Sequence, residues 1–237
     1  PVLGGPHGYL VSSEMANAFV FDASSVSRFT REWMEAVARD RNHPSIIIWA
    51  PINEGWGTPD LDDPRQQAHL RELYWLTKAF DPTRLVIDNE GWEHTDATDL
   101  FALHDYAPTG EVLYDKYQHL GKPEAPISAF GRRGLLPGNR YNGAPYALSE
   151  FGGIAFVPPG HQVLADAWGY AGIEKTSEAA LERLRGLYAA VARIPAFGAV
   201  CYTQLTDGEQ EVNGLLTDDR KPKFDLAAIR DINRLLK

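Results

Sequence analysis

Apolar residues occur along this chain in two patterns, as short continuous runs and as longer stretches with helical spacing. The run from Ser45 to Ala50 is rich in β-branched residues, too short for a helix, and bounded by Pro44 and Pro51. This pattern predicts a fully buried strand. Residues 24–39 instead carry apolar side chains at helical spacing, which predicts an amphipathic helix with its N-cap at Asp22 or at residue 24.

The two patterns alternate from one end of the chain to the other. Strands are predicted at 9–12, 45–50, 84–88, 100–104, 146–148 and 197–203. Helices are predicted at 24–39, 63–80, 111–120, 177–194 and 224–236, with Ser177 as the cap of the fourth. The Asp81-Pro82 pair stops the second helix, because the residue before proline is disfavoured in helical backbone. Such alternation predicts an α/β fold with a parallel sheet.

Two glutamates stand at matching places in this pattern. Glu54 follows the strand at 45–50, and Glu150 closes the strand that begins at 146. A carboxylate at the end of a parallel strand points into the mouth of an α/β barrel, where the chemistry of such folds takes place. Cleavage of a glycosidic bond uses such a pair, with one group as acid and the other as nucleophile or base.

Three motifs make the pattern specific. RNHPSIIIW followed by NE resembles the acid/base segment of glycoside hydrolase family 2, which contains β-galactosidases, β-glucuronidases and β-mannosidases. SEFGG resembles the nucleophile segment of that family, and YTQLTDGEQEVNGLLTDDRKPK resembles its last barrel strand and following loop. The resemblance extends from about Tyr9 to the end of the chain. It implies a (β/α)8 TIM barrel and a retaining β-glycosidase.

The position of the motifs also implies how much of the barrel is present. In the family, the HPSIIIW strand is the fourth, the SEFGG strand the seventh and the YTQLTD strand the eighth. We therefore expect residues 1–237 to form a single catalytic domain with about strands 3–8 of the barrel. The first βα units and the upstream β-sandwich domains of the family are expected to be absent from this chain. Its partners would then be the remainder of a larger polypeptide or further copies of itself.

The resemblance assigns roles to four residues. Glu54 is the expected general acid/base, protonated for the first step and ionised for the second. Asn53 resembles the asparagine that binds the 2-hydroxyl of the sugar. Glu150 is the expected nucleophile, which must stay ionised and therefore needs hydrogen-bond donors around it. By resemblance, Tyr106 donates its hydroxyl to this carboxylate.

Other residues are weaker candidates for sugar binding. His104 lies two residues before Tyr106 and so on the same face of its strand, as a sugar ligand or as a core histidine. Glu14 ends the first strand, where the family often has a glutamate; it either serves the site or supports the fold as a buried carboxylate. Trp56 and Trp92 are expected either to stack on sugar rings or to pack in the core. Trp168 is expected to take one of the same two roles, and Asn89, Glu90 and Asp207 are candidates for the mouth of the barrel.

The composition of the chain argues against several classes of function. The formal net charge is −9 and no basic run occurs, which argues against binding to nucleic acid. No segment is apolar and long enough to cross a bilayer, and no signal peptide opens the chain, so a cytoplasmic location is favoured. The single cysteine, Cys201, excludes an internal disulfide and is expected to be buried in its strand.

Alternatives remain at this stage. A metal-dependent barrel hydrolase would have to use a histidine and aspartate set that lacks metal-ligand spacing, so neither a metal nor a cofactor is expected. That set comprises His43, His94, His104, Asp99 and Asp105. No G-x-S-x-G motif supports a serine hydrolase. The chain could also be a catalytically incomplete barrel that only binds carbohydrate or serves as a scaffold. The asparagine and lysine pair of the glucuronidases has no match after Glu150, which favours a neutral sugar, galactose first.

Overall fold

Strands and helices alternate over the residues that the computed structural model describes, which are 8–121, 128–129 and 131–236. The strands are β1 Val11–Glu14, β2 Ile46–Ala50, β3 Leu85–Val86, β4 Phe101–Asp105, β5 Ser128–Ala129, β6 Arg132–Arg133, β7 Tyr146–Gly152, β8 Ala155–Phe156, β9 Ile173–Glu174 and β10 Phe197–Thr203. The helices are α1 Ala23–Asp40, α2 Pro64–Phe80, α3 Gly110–Tyr117, α4 Ser177–Ala192 and α5 Leu226–Asn233, followed by the 3-10 turn Arg234–Leu236.

The predicted alternation of six strands and five helices is confirmed, with changes at the boundaries. The structure adds four strands of two residues each, β5, β6, β8 and β9. Strand β7 continues to Gly152, so Glu150 lies within the strand rather than at its end. Helix α4 is capped by Thr176, whose hydroxyl accepts from the amide of Ala179, and the prediction of Ser177 as its cap is therefore wrong.

Side-chain caps fix the starts of the first two helices. The carboxylate of Asp22 accepts a hydrogen bond of 2.7 Å from the amide of Ser25 and so begins α1. Asp63 does the same for the amide of Arg65 at 2.8 Å, with Pro64 in the first turn of α2. Each aspartate accepts a hydrogen bond from a backbone amide that would otherwise have no partner at the helix N-terminus, which stabilises the start of the helix.

Strands β1, β2 and β3 form one sheet in sequence order, with parallel pairing between neighbours. Helices α1 and α2 cover it through an apolar core in which Trp33 packs edge-to-face on Trp49. The indole nitrogen of Trp33 also donates to the hydroxyl of Thr77 at 2.8 Å. This core holds the strand that precedes Asn53 and Glu54.

A second sheet has the strand order β10-β7-β4, which places β7 in the centre. Strand β10 has only one neighbour among the described residues, and several of its side chains are exposed. Cys201 is one of them, so the expectation that it is buried is wrong. An apolar run predicts a strand, but burial of its residues depends on what covers the strand.

The chain divides into two compact units. Of the described residues, the first unit has 8–103, 128–129 and 131–147, and the second has 104–121 and 148–236. None of the helices in the described part of the chain is long and apolar enough to cross a membrane. The assignment of the sheets to strands 3–8 of a single barrel domain stays a prediction.

Candidate active site

In the first unit, the residues after β2 are fixed by backbone pairing with Glu90. The amide of Glu54 donates to the carbonyl of Glu90 at 2.9 Å, and the amide of Glu90 donates to Ile52 at 2.8 Å. Glu54 then adopts a φ of 52°, in the left-handed region that glycine usually occupies. Such an unfavourable backbone conformation is often found at functional sites, where the surrounding structure maintains it.

The loop that follows Glu54 is held by an asparagine from the neighbouring loop. The side-chain oxygen of Asn89 accepts from the amide of Gly55 at 2.9 Å, and its amide group donates to the carbonyl of Trp92 at 2.7 Å. Asn89 is fully buried, so both bonds are shielded from water. The residue was expected at the mouth of the barrel, and here it fixes the backbone beside Glu54.

The side-chain oxygen of Asn53 has no hydrogen-bond donor among the described residues. This Oδ1 atom is also buried. A buried polar atom normally has a partner, so this oxygen can accept from a hydroxyl that is not part of the chain. The 2-hydroxyl of a sugar is such a donor.

The two candidate tryptophans of the first unit differ in exposure. Trp56 is 48% exposed and packs edge-to-face on Phe19, with 5.8 Å between the ring centroids. Trp92 is 6% exposed, and the guanidinium of Arg132 lies 5.5 Å from its ring centroid. A ring must be accessible to stack on a sugar, so Trp56 fits that role better. Glu14 is exposed at the end of β1, and its interpretation as a buried carboxylate is wrong.

In the second unit, two side chains from the end of β4 reach Glu150 on β7. The hydroxyl of Tyr106 donates a hydrogen bond to Oε2 of Glu150, which is the contact that the family resemblance implies. The Nδ1 atom of His104 lies 3.4 Å from the same oxygen, and His104 is fully buried. Burial raises the pKa of Tyr106, and the charge of Glu150 and the hydrogen bond to it raise it further. Tyr106 therefore stays protonated and remains a donor.

The two glycines after Glu150 leave room for aromatic rings. A Cβ atom on Gly152 would lie 2.3 Å from the ring of Tyr202. A Cβ atom on Gly153 would lie 2.3 Å from the ring of Tyr170 and 2.8 Å from that of Tyr106. All three distances are shorter than real contacts of a Cβ atom, so the SEFGG motif needs its glycines for packing as well as for their positive φ.

Two other candidates of the second unit have contacts within it. Asp207 is buried and forms an ion pair with Lys223, with Nζ to Oδ1 at 2.8 Å, and it also accepts from the amide of Gly214. Burial lowers the pKa of Lys223, and Asp207 counteracts this effect. Trp168 is exposed and packs edge-to-face on Tyr170, at 5.2 Å between centroids.

The two aspartates of the histidine and aspartate set have hydrogen-bond partners within their own units. Asp99 accepts from the hydroxyl of Tyr74 at 2.8 Å and from the ammonium of Lys78 at 2.9 Å. Asp105 accepts from the hydroxyl of Tyr117 at 2.8 Å and from an ammonium group on α3. These bonds give both carboxylates a structural role.

No sequence pattern singled out Tyr170, although it lies against the Tyr106 ring. The two rings are parallel, with an interplanar angle of 3° and 3.5 Å between centroids. Only the aromatic cluster WGY, which begins fifteen residues after the last glycine of SEFGG, could have drawn attention to it. The distance between the carboxylates of Glu54 and Glu150, on which a two-carboxylate mechanism depends, stays a prediction.

Comparison with known families adds evidence of a different kind. The model of glycosyl hydrolases family 2, TIM barrel domain, matches residues 11–237. A β-galactosidase of Psychromonas ingrahamii is 38% identical over 95 residues, which are 40% of this chain and 8% of that protein. A β-galactosidase of Vibrio vulnificus is 35% identical over 111 residues, which are 46% of this chain and 9% of that protein. This chain thus spans only a small part of the length of these curated relatives.

Solved structures share the fold at low sequence identity. A GH2 β-galacturonidase from Eisenbergiella tayi, bound to galacturonate, superimposes with a TM-score of 0.69 at 19% identity, over 99% of this chain and 42% of that one. A β-D-glucuronidase of Dictyoglomus thermophilum gives 0.65 at 17% identity, over 91% of this chain and 36% of that one. Likeness at this level of identity supports the fold alone.

Proposed function

Because this chain belongs to glycosyl hydrolases family 2 and matches its TIM barrel domain, we propose that it carries the catalytic pair of a retaining β-glycosidase. The substrates are terminal β-linked sugars, and the mechanism is a double displacement. Glu150 is the nucleophile and Glu54 the general acid/base. The chain supplies about strands 3–8 of the barrel of the whole protein.

The observation that carries this proposal is the environment of Glu150. Tyr106 donates to one of its oxygens and His104 lies beside the same oxygen, so the carboxylate is held in one orientation. A hydrogen bond to the charged form favours ionisation, which a nucleophile requires. The other oxygen of Glu150 then attacks the anomeric carbon and forms the glycosyl-enzyme intermediate.

Glu54 acts in both steps of the reaction. As an acid it protonates the oxygen of the leaving group while the bond to Glu150 forms. As a base it then removes a proton from the water that releases the sugar. Retention requires roughly 5 Å between the two carboxyl groups, whereas inversion requires about 6.5–9.5 Å. We expect the shorter distance between Glu54 and Glu150.

Residues near the two glutamates bind the sugar. Asn53 accepts a hydrogen bond from the 2-hydroxyl through its buried Oδ1 atom, which has no donor within the described residues. The exposed ring of Trp56 follows the acid/base in the loop and stacks on the leaving-group side. The buried His104 acts through Glu150, and the buried Trp92 supports the loop of Asn89 through its carbonyl. The exposed Glu14 belongs to the outer part of the site.

Galactose is the sugar that we favour. Relatives at 38% and 35% identity are named β-galactosidases, and the chain has no match to the asparagine and lysine pair that binds a uronic acid. Nitrophenyl glycosides of galactose, glucuronic acid and mannose, assayed side by side with the whole protein, test this choice. A preference for the glucuronide would contradict it.

The test of the mechanism is chemical rescue in the whole protein. E150A is expected to abolish turnover, and azide is expected to restore it with inverted configuration, because azide takes the place of the missing nucleophile. E182A, which changes an exposed glutamate of α4, serves as the control and keeps its turnover. Rescue of E150A with retained configuration would reverse the two roles. A protein that binds sugars but has no turnover before mutation would favour the scaffold alternative.

A further inference from the structure

The side chain of Tyr106 is held from several sides in the second unit. Its hydroxyl is bonded to Glu150, one face lies 3.5 Å from the ring of Tyr170, and its edge lies over Gly153. The amide of Tyr170 donates to the carbonyl of Gly153 at 3.0 Å, which ties the backbone of the two segments together. The orientation of the Tyr106 hydroxyl therefore depends on where the Tyr170 ring stands.

One guanidinium joins the two loops that carry these tyrosines. Arg183 on α4 donates from Nε to the carbonyl of Pro108 at 2.8 Å and from Nη2 to the carbonyl of Tyr170 at 3.0 Å. Its Nη1 atom lies 3.4 Å from a carboxylate oxygen of Glu174, and its side chain is only 10% exposed. Pro108 follows Tyr106 by two residues, so Arg183 bonds the backbone on both sides of the stack.

We propose that Tyr170 and Arg183 are positioning residues that hold the hydroxyl of Tyr106 on Glu150. The inference rests on the proposed role of Glu150 as nucleophile. Tyr170 blocks rotation and sliding of the Tyr106 ring through the parallel stack. Arg183 sets the separation of the two loops, because its planar fork donates in two fixed directions at once. Neither residue needs to touch the substrate.

The physical consequence is a loss of alignment when either residue changes. A tyrosine ring without its neighbour can tilt, and the hydroxyl then leaves the carboxylate oxygen. Misplacement of a catalytic group by about 1 Å can cost on the order of 100-fold in rate. We therefore expect kcat to fall while KM changes little, because the groups that bind the sugar are unaltered.

Four variants of the whole protein test the proposal. Y170L removes the ring and is expected to lower kcat by roughly 10- to 100-fold, as misplacement of this size predicts. Y170F keeps the ring and is expected to lose far less. R183K keeps the charge, but a single ammonium group cannot bond to the carbonyls of both Pro108 and Tyr170 in the same geometry. A loss of kcat similar to that of Y170L is expected. R185K changes an exposed arginine on the same helix and is the matched control.

A double-mutant cycle separates positioning from general damage to the fold. In a Y106F background the hydroxyl is already absent, so Y170L and R183K are expected to cost little more. If they lowered kcat by the same factor with and without the Tyr106 hydroxyl, their effect would not pass through it and the proposal would be overturned. Thermal unfolding of each variant identifies any loss of folded protein.

A crystal structure of Y170L provides a readout that does not depend on activity. We expect the oxygen of Tyr106 to lie beyond hydrogen-bond distance from Glu150 in this variant. An unchanged contact would overturn the positioning role even if the rate fell. Turnover by E150A would contradict the proposed function. The position of the Tyr106 oxygen in Y170L would still test whether Tyr170 positions Tyr106.

Discussion

The carboxylate of Asp88 lies 2.7 Å from Nδ1 of His94, and both side chains are fully buried. The other oxygen of Asp88 accepts from the amide and the hydroxyl of Thr95, at 2.7 and 2.8 Å. The Nε2 atom of His94 lies 2.8 Å from the carbonyl oxygen of Ala102 on β4. A carbonyl only accepts, so the Nε2 atom of His94 is the donor in this contact. The network thus links the loop after β3 to β4.

The first prediction concerns this network. D88N removes the charge that faces His94 and leaves a buried polar group poorly paired. Leaving a buried hydrogen-bonding group unsatisfied costs about 1–3 kcal/mol, so the midpoint of urea denaturation should fall clearly. D166N changes an exposed aspartate and should stay within about 0.5 kcal/mol of the parent. Equal midpoints for the two variants would mean that the pair contributes nothing to stability.

The second prediction concerns Glu54. In the whole protein, E54A should damage the cleavage of substrates with poor leaving groups most, because a good leaving group departs without protonation. Activated aryl glycosides should therefore retain far more turnover than alkyl glycosides or disaccharides. Added azide should yield a product with retained configuration. An equal loss for all leaving groups would argue against Glu54 as the acid.

Local patterns predicted the elements of this fold but not their long-range contacts. The strand at 197–203 has the predicted bounds, and each of the other five strands lies close to its predicted position. Apolar runs and helical spacing are properties of neighbouring residues, so a single sequence contains them. The cap at Thr176 was missed because Thr176 and Ser177 are both capping residues and only the backbone decides between them.

One contact of the candidate site was predictable because motifs carried it. The resemblance pointed to a hydrogen bond from Tyr106 to Glu150, and the structure shows that bond. The Asp88–His94 pair and the stack of Tyr170 on Tyr106 were not found, because each joins side chains from separate loops. No periodicity encodes such a pairing. The exposure of Cys201 was missed for a related reason, since burial is a property of the surrounding elements.

The third prediction is a pH dependence that comes from Asp81. Burial opposes its ionisation, but hydrogen bonds from Thr83, Trp49 and Arg84 outweigh it and lower the pKa of Asp81 to about 2. The ordinary value for aspartate is about 3.9, so the ionised form stabilises the folded state above that pH. The contribution is lost as the pH falls from about 4 towards 2. It amounts to roughly 2–3 kcal/mol when fully present.

The measurement compares the parent with D81N by urea denaturation at several pH values. The difference between the two midpoints should be largest near neutral pH and should shrink below about pH 4. T83V removes one of the hydrogen bonds and should give a smaller difference with the same pH dependence. A difference that stays constant down to pH 2 would mean that the carboxylate is not stabilised in its ionised form.

The fourth prediction concerns Gly153, which has a φ of 56° and lies against two tyrosine rings. G153A should push the rings of Tyr106 and Tyr170 away from their stack, because the new Cβ would lie 2.8 Å from the ring of Tyr106 and 2.3 Å from that of Tyr170. Turnover by the whole protein should then fall strongly.

G160A is a matched control for this substitution. Gly160 has a φ of 80°, but a Cβ atom added to it would meet no atom within 4 Å. G160A therefore introduces the backbone strain, which costs about 1 kcal/mol, but no collision with a ring. Similar activity in both variants would mean that the rings adapt and that only the backbone requires glycine at this position.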